Sequence, residues 1–111
     1  MQSLDYIREK CRVAVISLAW GTESLQERLS DSYISALERL KAEELPPEMR
    51  DDFESVVYEL TKIKPTSDEG SLAASVAQLD DDTANELIER IVGLFETVCR
   101  LLGPEEDCPD E

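Results

Sequence analysis

Apolar residues recur three and four positions apart along most of the chain, and that spacing predicts helices rather than strands. The first helix is expected over about residues 3–19. Leu4, Ile7, Cys11, Val15 and Leu18 form its stripe, with Arg8, Glu9, Lys10 and Arg12 filling other positions of its first half. From 13 to 20 nearly every residue is apolar, so this half is expected to be buried on several sides. Val13, Val15 and Ile16 are β-branched and would also suit a strand. No partner strand is legible elsewhere, and a lone strand leaves its backbone groups unsatisfied.

Gly21 closes this segment, and Ser24-Leu25-Gln26-Glu27 has the capping-box form that opens a helix. A second helix is expected over 25–42, with Leu25, Leu29, Tyr33 (or Ser32), Ala36 and Leu40 on its stripe and Ile34 and Leu37 beside it. Pro46 and Pro47 break the chain and suit a helix start. Met49, Phe53, Val56, Val57, Leu60 and Ile63 give a third helix its apolar face. Residues 64–71 are a loop by composition, and a short helix of small residues follows over 72–79.

The last helix has the clearest pattern. Asp80-Asp81-Asp82-Thr83 supplies a cap and an acidic first turn, and Gly103 with Pro104 supplies the stop. Between them Ala84, Leu87, Ile91, Leu94, Val98 and Leu101 alternate steps of three and four. Ile88, Val92, Phe95, Cys99 and Leu102 widen the apolar arc to roughly 160°. An arc that wide meets more than one neighbour. The first expectation is a central helix of the bundle; the second is a homodimer through 84–102. The fold expected is therefore all-α, a small bundle of four to five mostly antiparallel helices over 1–103 with the last helix central. An acidic flexible tail over 104–111 follows it.

Composition narrows the chemistry. At 111 residues the chain is the size of one domain. It contains 26 acidic and 11 basic residues, a net charge of −15, and no histidine. Without histidine there is no Ser-His-Asp or Cys-His site and no His-Glu-x-x-His zinc helix. So acidic a surface disfavours direct nucleic-acid binding, which depends on neutralising phosphates. The five acids of the tail carry only a third of the excess, so the acidity belongs mostly to the folded part. Cys11, Cys99 and Cys108 are too few and too widely spaced for a disulfide framework or a Cys-x-x-Cys site. Together with the lack of a long apolar run, they point to a reducing cytoplasm and no membrane span.

Three features could carry function. Asp80, Asp81 and Asp82 could hold a hard cation, but consecutive positions at a helix start point apart, which favours a cap and a dipole-matched turn. Glu48-x-x-Asp51 and Glu86-x-x-Glu89 match by letter the helix motifs with which all-helical nucleotide pyrophosphohydrolases bind Mg²⁺. They do so in reversed order, in a chain where acids are frequent enough for chance matches. Trp20, closing the most apolar segment, is expected first as a core plug and second as an exposed anchor for another protein. Tyr33 and Tyr58 are expected half-buried.

The function expected is a non-catalytic cytoplasmic interaction module, an adaptor, accessory subunit or inhibitor of a more basic protein, with no cofactor or metal. Its contact residues are expected to be Trp20, Glu48, Asp51, Asp52, Asp80, Asp81 and Asp82. The alternatives are a carboxylate-rich metal-dependent hydrolase, a structural homo-oligomer and an acidic nucleic-acid mimic.

Overall fold

Side chains at three helix starts supply an acceptor for backbone N–H groups that have no partner inside the helix. The computed structural model, which describes residues 3–62 and 71–103, shows three such caps directly. Ser3 Oγ accepts from Tyr6 N at 3.1 Å, Ser24 Oγ from Glu27 N at 3.1 Å, and Asp80 Oδ1 from Thr83 N at 2.8 Å. Bonds from the Thr83 backbone and side chain hold the Asp80 carboxyl below its ordinary range. The resulting helices are α1 (Leu4–Trp20), α2 (Leu25–Ser35), α3 (Pro47–Thr61), α4 (Ser71–Ala77) and α5 (Asp81–Leu102). No strand occurs among the described residues. The expected tail at 104–111, with Cys108, and nearly all of the expected loop at 64–71 lie outside them.

The second helix is shorter than its apolar stripe predicts. Its regular ladder stops at Ser35, Ala36 takes φ −142° and ψ −58°, and two 3₁₀ turns follow at Leu37–Arg39 and Ala42–Glu44. Residues 30–35 are Ser-Asp-Ser-Tyr-Ile-Ser, all weak helix formers. Ser35 Oγ also donates to the Asp31 carbonyl at 2.7 Å, a bond back to the preceding turn that weakens and bends a helix. The irregular path still buries Ala36, Leu37, Leu40 and Leu45. Ile34, expected beside the stripe, is instead 53% exposed.

The core follows the last helix. Ala84, Leu87, Ile91, Leu94 and Val98 are buried on α5, which packs against α1, α2 and α3 and so occupies the centre of the bundle. From α1 come Ile7, Cys11, Ala14 and Leu18, and from α3 come Met49, Phe53, Val56 and Leu60. Cys11 behaves as a small hydrophobe: burial, with a smaller contribution from nearby Cys99, pushes its thiol up to about 12.

Side-chain bonds between elements fix the orientation. Gln26 Nε2 donates to the Leu79 carbonyl at 2.9 Å and to Asp81 Oδ1 at 3.2 Å, joining the start of α2 to the start of α5. Arg28 Nη1 donates to the Leu18 carbonyl at 3.2 Å, joining the end of α1 to the same place. With Cys11 near Cys99, α1 and α5 run antiparallel. Where α1 meets α2, Ser32 Oγ donates to the Ala14 carbonyl at 2.9 Å, and neither residue is exposed to solvent. A hydroxyl reaches the backbone of a neighbouring helix only where two helices approach closely.

The apolar end of α1 is not buried on several sides. Only Ala14 and Leu18 are buried there, while Val13, Val15 and Ile16 are intermediate and Ala19 and Trp20 exposed. The reason is the number of neighbours: α2, the 3₁₀ turn after it, and α5 cover one side of α1. No helix of the described residues is long and apolar enough to cross a membrane.

Candidate interaction surface

Trp20 is not a core plug. It is 81% exposed. Helix geometry places it there: at about 100° per residue it sits roughly 160° around α1 from buried Leu18. Ile16 is turned away from Ala14 and Leu18 by the same angle, so Ile16 and Trp20 lie four apart on the outer side of α1.

The turn after Trp20 is held by a residue that the sequence pattern does not single out. Besides its bond to Leu18, Arg28 donates from Nε to the Glu23 carbonyl at 3.2 Å. Its side chain lies across Gly21, where a Cβ would come within 2.5 Å of Arg28 Cγ and 2.6 Å of Glu23 Oε1. Gly21 is therefore the residue that lets this strap close. The guanidinium satisfies a carbonyl in the last turn of α1 and is drawn inward by doing so.

Beyond the strap, the outer side of α2 is acidic. Glu23, Glu27, Ser30 and Asp31 line a shallow groove of about 330 Å³. Glu27 and Asp31, four apart, share a face of α2 turned from the buried Leu29 and Ser32, while Glu23 precedes the Ser24 cap. None of them forms an ion pair among the described residues. Ile34 continues the same face with its side chain in solvent. Four-residue spacing of Glu27 and Asp31 after the Ser24 cap is the sequence signal that would have found this face.

A second groove, of about 380 Å³, lies between α3 and α5 and is lined by Asp52, Glu86, Glu89, Arg90 and Gly93. Arg90 Nη1 reaches Asp52 Oδ1 at 3.4 Å across it. Gly93 forms part of its wall, and no atom lies within 4 Å of where a Cβ would stand. A glycine inside a helix costs stability without giving packing here. Gly93→Ala is therefore expected to raise stability by about 0.5–1 kcal/mol, read as an increase of a few degrees in a thermal melt. A lower melting temperature would mean that the groove is narrower in solution.

The expected contact residues fall into separate places. Glu48, Asp51 and Asp52 are exposed on the first turns of α3, and only Asp52 joins the α3–α5 groove. Asp80, Asp81 and Asp82 are exposed at the start of α5, where Asp80 is the cap and Asp81 accepts from Gln26. That turn shares an end of the bundle with Trp20 and the start of α2, away from Glu48 and Asp51. No group of three or more acids or cysteines able to hold a metal forms among the described residues. Tyr33 is half-buried as expected, and burial, then Glu38, raises its hydroxyl pKa, whereas Tyr58 is 62% exposed. No protein family, curated protein or solved structure matches this chain.

Proposed function

We propose that this protein is a non-catalytic interaction module of the cytoplasm, acting as an adaptor, accessory subunit or inhibitor of a more basic protein. The observation that carries the reading is Trp20, the single tryptophan of the chain, at 81% exposure. Its ring contributes little to the core, and a large aromatic in solvent is the residue type most enriched among the dominant contacts of protein interfaces. The net charge of −15 sets the sign of the partner, because a field of that size draws in basic surfaces and repels acidic ones.

The test is capture on immobilised protein and on its Trp20→Ala variant, at low and at high ionic strength. The captured proteins are expected to be basic, to be released as salt rises, and to be reduced on the variant. Capture that ignores both salt and the Trp20 substitution would overturn the reading.

A further inference from the structure

We draw no further inference here: the strongest candidate, the apolar surface patch that Ile16 and Trp20 form on the outer side of α1, carries nothing beyond the reading above because nothing in the structure shows what covers it.

Discussion

Ile91→Ala is expected to lower the unfolding free energy by about 3–4 kcal/mol. Ile91 lies near the middle of α5 with no exposed surface, on the helix that touches α1, α2 and α3. Truncation removes three carbons from a site with protein on every side, so the loss includes both transfer and cavity terms. Against a total stability of about 5–15 kcal/mol for a domain, that is a large fraction. The comparison that gives the measurement its meaning is Val92→Ala at the next position. Val92 is only partly covered, and its truncation is expected to cost below about 1 kcal/mol. Urea denaturation followed by circular dichroism would read both as shifts in midpoint with unchanged slope. Equal costs at the two positions, growing with protein concentration, would mean that a second copy covers the flank of α5.

The legible parts of this fold are those where several local signals agree. For α5 the period of the apolar positions, the Asp80 cap and the Gly103 stop point to the same helix, and Gly103 takes φ +83° as such a stop requires. The end of α2 was hidden because an apolar stripe says nothing about competition from hydroxyls. Leu37 and Leu40 keep a helical spacing and are buried, yet they arrive there through 3₁₀ turns after Ser35 bonds back to Asp31. Trp20 misled for a different reason. The density of apolar residues over 13–20 suggests burial all round, but burial depends on how many neighbours a helix has, and among the described residues α2, the 3₁₀ turn after it and α5 cover α1 mainly on one side. Angular position was the better guide, since Trp20 is far around the helix from Leu18. The Asp52–Arg90 contact and the Arg28 strap were out of reach, because the first joins residues 38 apart and the second depends on a turn with no signature of its own.

The acidic surface is weakly offset within the fold. Three of the four ion pairs among the described residues, Arg8–Asp5, Arg12–Glu9 and Lys62–Glu59, join side chains three apart on or beside one helix and sit at the surface. Pairs of that kind contribute little to stability. They do occupy cations: Arg8 and Arg12, the most basic stretch of the sequence, face acids of their own helix. The face of α2 that carries Glu27 and Asp31 has no such compensation among the described residues. Repulsion along it disfavours the isolated fold slightly and favours any bound state that brings positive charge to it.

Ala14→Leu is expected to cost about 2–3 kcal/mol, a fall of about 10 °C in melting temperature. Ala14 has no exposed surface, and Ser32 of α2 reaches its carbonyl at 2.9 Å, so a leucine there must push α2 outward or twist from its preferred rotamer. Ala19→Leu is the matched control, since the same three carbons are added to α1 at an exposed position and are expected to change stability by less than about 0.5 kcal/mol. If the cost comes from crowding at the crossing, Ala14→Leu and Ser32→Gly together should destabilise less than the two single changes added, by about 1 kcal/mol. A displaced α2 stretches the Arg28 bonds to Leu18 and Glu23 that hold the turn between the two helices. An Ala14→Leu protein that melts with the parent would mean that the two helices do not meet closely at the Ser32–Ala14 contact.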